Sequence, residues 1–99
     1  MPELNSNQRR HLMRLAHHLD PQVRIGKQGG TDTVVRSVAE SLEAHELIKL
    51  KFNEFKDDKQ PHVDAIVRRT GAQHVATRGH VVTLYRPHPE AHRRKIELP

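Results

Sequence analysis

The chain has 99 residues, no cysteine, and 17 Lys and Arg against 12 Asp and Glu, a formal charge of +5 with histidine neutral. That length gives one domain with one core, residues 1–99 with 87–99 as a C-terminal tail. Disulfides and Cys-based zinc sites are excluded, and no apolar run approaches the roughly 20 residues of a membrane span. A basic, reduced, leaderless chain is expected in the cytoplasm with a polyanion as partner, not a membrane.

Leu4 to Leu19 predicts a helix, with Asn5 or Ser6 as cap and Asn5 and Gln8 at capping-box spacing. Leu12, Leu15, Ala16 and Leu19 form its apolar stripe, with Arg10, Arg14 and His17 opposite. Asp20-Pro21 is the expected stop. Val23-Arg24-Ile25 reads as a short strand, followed by Gly26-Lys27-Gln28-Gly29-Gly30. Thr31 then caps a second helix, whose buried face is Val34, Val35, Val38, Ala39 and Leu42. Leu47 to Phe52 alternates with period two, giving a strand with Ile48, Leu50 and Phe52 on one face and Lys49 and Lys51 on the other. Pro61 suits the first turn of a third helix, which buries Val63, Ile66 and Val67 and ends at Gly71. His74 to Arg78 and Val81 to Arg86 make a hairpin about Gly79-His80, and a His- and Arg-rich tail begins at Pro87. The expected fold is α/β, in the order α-β-α-β-α-β-β: a four-stranded mixed sheet with helices mainly on one face. These rules leave the first helix unplaced.

Gly26-Lys27-Gln28-Gly29 lies between a strand and a helix start. Flanking glycines permit unusual backbone angles and close approach, and the N–H groups at the helix start favour an anion beside the Lys27 charge. The loop is too short for a nucleotide-hydrolysing P-loop, and the dinucleotide fingerprint is absent. It resembles the GxxG clamp that KH domains close on nucleotide backbone, although there the clamp joins two helices. A tight turn that needs glycine explains the same spacing without function. The outward charges sort: Asp32, Glu40, Glu43 and Glu46 with only Arg36 on the second helix, while Arg10, Arg14, Arg24, Lys27, Lys49, Lys51, Arg78 and Arg86 lie elsewhere. Lys49 and Lys51, taken singly, read as a solvated strand face. Three aromatics, Phe52, Phe55 and Tyr85, are too few for a base-stacking sheet.

Nine histidines invite a metal reading, but no HxxxH pair on a helix and no HExxH motif occurs, and His88 and His92 sit in the tail beside Pro89. His45 falls on the apolar side of the second helix and is expected to be partly buried. No nucleophile triad or carboxylate pair stands out, so neither an enzyme nor a cofactor or small-molecule substrate is expected.

Taken together, Gln8-Arg9-Arg10, Ala16-His17-His18-Leu19-Asp20-Pro21, Ile25-Gly26-Lys27-Gln28-Gly29, His45-Glu46-Leu47-Ile48-Lys49, Thr70-Gly71-Ala72, Leu84-Tyr85-Arg86 and Lys95-Ile96-Glu97-Leu98-Pro99 resemble the YhbY family, the stand-alone bacterial CRM domains. The resemblance spans essentially the whole chain. It implies a fold similar to the C-terminal domain of translation initiation factor three, and binding of structured ribosomal RNA in precursors of the large subunit. It carries the RNA contact onto Gly26, Lys27, Gln28 and Gly29, and onto Lys49 and Lys51 of the neighbouring basic surface; Thr31, Arg24, Arg14 and Arg78 are expected to extend the track, on a monomer. Gly30 departs from the family, where an aliphatic residue is usual, and implies a more flexible loop. The competing expectation is a protein-interaction module docking a ribosomal or other RNA-associated protein.

Overall fold

Asn5 opens the first helix through a reciprocal cap. Its side chain accepts from the Gln8 N–H at 2.8 Å, and the Gln8 side chain accepts from the Asn5 N–H at 3.0 Å; such a cap contributes about 1 kcal/mol. The computed structural model describes residues 3–55 and 57–99. In them the elements run α1 (Ser6–Ala16), β1 (Val23–Ile25), α2 (Asp32–His45), β2 (Leu47–Phe52), α3 (Gln60–Thr70), β3 (Gln73–Arg78) and β4 (Val81–Tyr85), with a 3-10 turn at Ala91–Arg93. This is the order the pattern predicts. α1 is shorter than its apolar spacing suggests: it ends at Ala16, and Leu15 is 41% exposed. Only Leu12 and Ala16, one turn apart, are buried from it.

The strand order is β1-β2-β4-β3, with β1 parallel to β2 and the other pairs antiparallel. The parallel pair needs a crossover, which α2 supplies. On one face Ile25, Ile48, Leu50, Phe52, Val82 and Leu84 pack against Val35, Val38 and Leu42 of α2 and Val63 and Ile66 of α3. Arg86, expected on the basic surface, is turned into this layer instead. Its Nη1 donates to the Thr70 carbonyl at 2.7 Å and its Nη2 to that of Ala39 at 3.2 Å. Thr70 ends α3, where the last carbonyls lack internal partners and attract a cation, and this draws Arg86 inward. The Ala39 carbonyl lies within α2 and accepts the second, longer bond.

α1 lies on the opposite face, where Leu12 and Ala16 join Leu47, Val75, Tyr85 and Leu4, with Ile96 and Leu98 of the tail packed against them. The β3–β4 register shifts between His74 and Ala76. The extra residue, Val75, turns toward α1, and Arg9 Nη1 donates to the carbonyls of both His74 and Val75. Arg9 thus occupies carbonyls along an edge strand where a bulge disrupts the ladder.

Glu46 is not an outward acid of α2. It follows the helix at φ 64°, is 2% exposed, and accepts from the backbone N–H groups of His88 and Lys95. A buried carboxylate requires such partners, and the tail supplies them. His45 is exposed, because α2 ends there and the left-handed turn at Glu46 carries the chain down into β2.

Candidate nucleic-acid interface

The glycine loop leaves the sheet where β1 ends. The Gly29 N–H donates to the Gly26 carbonyl at 3.0 Å, and the Thr31 N–H donates to that of Gly29 at 3.0 Å. Thr31 Oγ1 then accepts from the Val34 N–H at 3.3 Å and caps α2, so its role is to start the helix. Lys27 and Gln28 are exposed at the tip, whereas Gly29 is buried. Its φ of 65° is left-handed, and beneath it lie His62 and Phe55, whose rings are 4.2 Å apart. Gly26 has no such backbone angle and nothing near its missing side chain. Of the two flanking glycines, only Gly29 has the conformational role expected of both. Gly30 is equally undemanding, since a Cβ there would meet Ile66 Cγ1 at 3.6 Å, an ordinary contact.

Local charge at the loop is mixed. Asp32, in the first turn of α2, is held by Arg69 Nη2 at 2.6 Å. Glu54, Asp57 and Asp58 are exposed in the segment after β2, and Phe55 packs that segment beneath Gly29.

The cations gather on the face of the sheet that carries α1. Residues paired directly across strands point to the same face, and the register aligns Arg24 with Lys51, Lys51 with Val81, and Val81 with Arg78. Arg24 and Lys51 sit on adjacent strands, about 5 Å apart in backbone, and Arg78 lies two strands further, about 10 Å on. The next row on the same face is Lys49, Thr83 and Ala76. α1 covers the end of the face that holds Leu47 and Tyr85 and approaches the second row, where Thr83 is buried. Arg24, Lys51 and Arg78 are exposed; Lys49 is half-buried, its Nζ donating to the Leu19 carbonyl at 3.0 Å. It is therefore less freely solvated than the alternation suggests.

Between α1 and these rows runs a groove of about 590 Å³, bordered by Arg10, Arg14, His17 and His18 on one side and Lys49 and Arg78 on the other. Arg14, Arg24, Lys49, Lys51 and Arg78 thus share one face, and the Gly26–Gly29 loop stands at its β1 end. Sequence reasoning missed His17 and His18 as neighbours of this face and His62 as the base of the loop. The early end of α1 places the two adjacent histidines at the groove, and the usable signal was the pair itself before Asp20-Pro21.

Among the described residues no three His, Asp or Glu side chains converge as a metal site requires, and no helix is long and apolar enough to cross a membrane. A CRS1/YhbY (CRM) domain profile matches residues 4–86. The chain belongs to the CRS1/YhbY (CRM) domain family. This CRM domain is 44% identical over 100 residues to a Haemophilus influenzae chain named RNA-binding protein, spanning all of this chain and 98% of that one. It is 38% identical over 97 residues to the Bacillus subtilis chain named Probable RNA-binding protein YqeI, spanning 97% of this chain and 99% of that one. The solution structure of SAV1595 from Staphylococcus aureus has the same fold, with a TM-score of 0.81 and 33% identity over 97% of this chain and 99% of that one.

Proposed function

We propose that this CRM domain is a non-enzymatic RNA-binding protein that acts as a cytoplasmic monomer on structured ribosomal RNA in precursors of the large subunit. The names of its relatives support RNA as the partner, and the family resemblance supports the ribosomal setting. The observation that carries the reading is the row of Arg24, Lys51 and Arg78, continued by Lys49 and Arg14, on a half-open sheet face. None of these five forms an ion pair among the described residues.

In this reading Lys27 and the backbone of the Gly26–Gly29 turn hold one phosphate at the end of the sheet. The cation row tracks the backbone from there toward α1, contributing affinity independent of sequence. A titration against ribosomal RNA fragments at several salt concentrations tests this. Affinity is expected to fall with log salt at a slope of about −0.7 to −0.9 per phosphate contacted. Lys27→Glu and Lys51→Glu are each expected to weaken binding about tenfold, since each reverses a charge at a phosphate contact. Unchanged affinity in both folded variants would remove this face from the mechanism.

A further inference from the structure

The groove beside α1 differs from the glycine loop in having an apolar floor. Met13 of α1 and Val81 of β4 lie half-buried along it beside the buried Thr83, and the exposed Arg14, Arg78 and His18 line it as well. Among the described residues no carboxylate lines it. Its volume falls within the ~300–1,000 Å³ of small-ligand sites. The loop offers a cation and backbone but no apolar surface, so it suits phosphate alone. The groove offers planar guanidinium and imidazole groups beside methyl-bearing side chains. A phosphate backbone would leave that floor unused. An unpaired base, flat and apolar on its faces and tethered between two phosphates, would use both the floor and the planar groups, because bases freed from the stack lie against aromatic and guanidinium planes. The bases of a continuous duplex are stacked inside it and cannot enter.

We infer that the groove between α1 and the open half of the sheet takes an unpaired nucleobase, so that the preferred ligand is RNA with a bulge or loop. This rests on the RNA-binding reading and adds to it a division of labour: the loop and cation row hold backbone, and the groove holds a base. An acidic peptide would be drawn by the cations but would leave the apolar floor unused.

The test is an anisotropy titration of the full chain, at fixed salt, against a hairpin with a fully paired stem and the same hairpin carrying one bulged adenosine. The bulged RNA is expected to bind about tenfold tighter, the scale of one base stacked on a side chain. The double variant Arg14→Lys with Arg78→Lys keeps every charge but lacks the guanidinium planes; at Arg14, within α1, the two residues are nearly equivalent in helix propensity, and Arg78 is exposed at the end of β3. The readout is the ratio of the two affinities, because both residues also belong to the cation row, and that ratio is expected to shrink to within about twofold. Equal affinity of the natural chain for both RNAs, with salt-sensitive binding intact, would overturn the base slot while leaving RNA binding in place. A preference that persists in the double variant would also overturn it. Displacement of bulged RNA by oligoglutamate at a lower concentration than by unlabelled bulged RNA would assign the groove to a protein. Absence of binding to either RNA at low salt would instead refute the RNA-binding reading itself.

Discussion

The imidazole of His62 fills the space that a side chain at Gly29 would need: a Cβ there would lie 2.7 Å from His62 Cε1 and 3.3 Å from the Phe55 ring. The left-handed φ at Gly29 alone costs a non-glycine residue roughly 1–2 kcal/mol, and the collision adds to it. Gly29→Ala is therefore expected to lower stability by about 2 kcal/mol or more in urea denaturation. Gly26→Ala, in open space at an ordinary angle, is expected to stay within about 0.5 kcal/mol. Any loss of RNA affinity in the second variant then reports close approach of the ligand to the backbone. Equal destabilisation by both would show that the turn does not rest on His62.

Gly30 gives the opposite expectation. Its angle is open to any residue, and a Cβ would make ordinary contact with Ile66. Gly30→Ala restricts the unfolded chain without straining the folded one, so it is expected to raise stability by about 0.4–1 kcal/mol. A lowered denaturation midpoint would show that the loop needs freedom at this position.

Periodicity made the order of elements legible, because each apolar stripe or alternation belongs to one element and reports its own buried face. Ile48, Leu50 and Phe52 on one side and Lys49 and Lys51 on the other are read directly from such an alternation. What periodicity does not report is which neighbour covers a face. The position of α1 depends on Leu12 and Ala16 meeting Leu47, Val75 and Tyr85, contacts between segments far apart in sequence. The capture of Arg86 by the Thr70 and Ala39 carbonyls and of the tail by Glu46 are likewise tertiary, and the charge pattern alone assigned both residues to the surface. The glycine loop was legible as a turn. The alignment of Arg24, Lys51 and Arg78 was not, since it follows from strand register.

Glu46 ties the tail to the end of α2 by accepting from two backbone N–H groups. Glu46→Gln leaves one oxygen to accept and turns an amide donor toward the second N–H. The expected cost is about 1–3 kcal/mol, that of an unsatisfied buried group, unless the tail detaches to avoid it. Detachment is read separately: trypsin should then cut at Arg93, Arg94 and Lys95 well before the rest of the chain. A variant with unchanged midpoint and unchanged tail protection would show that Ile96 and Leu98 hold the tail by themselves.

The acidic segment after β2 sets a further expectation. Asp57 and Asp58 are exposed two and three residues beyond Phe55, whose ring lies against Gly29. At a separation of about 10 Å in water, one unit charge acts on another with roughly 0.4 kcal/mol. Asp57→Asn with Asp58→Asn is therefore expected to tighten RNA binding about two- to threefold at low salt. The gain should fade as the salt concentration approaches 1 M, where screening acts over ~3 Å. Unchanged affinity at low salt would mean that RNA approaches only from the α1 face.

His74 carries a pH dependence of stability. Burial holds its imidazole below the ordinary value of 6.5, with the Arg9 guanidinium acting in the same direction and the Asp64 carboxylate opposing both. Its Nε2 is 2.7 Å from Thr77 Oγ1, a contact the neutral ring can keep. The unfolded chain, free of burial and of Arg9, takes up the proton at the higher pH. Between the two values the unfolded state binds more protons, so stability rises with pH across that window. The contribution is complete above the unfolded value near 6.5 and is lost as the pH falls from there through the lower folded value. His74→Gln retains a polar group for Thr77 but cannot take up a proton in this range. Urea midpoints of the natural chain measured from pH 7.5 to pH 5 are expected to fall more steeply than those of the variant. Parallel curves would show that Arg9 and the β3 bulge leave the His74 proton equilibrium as it is in the unfolded chain.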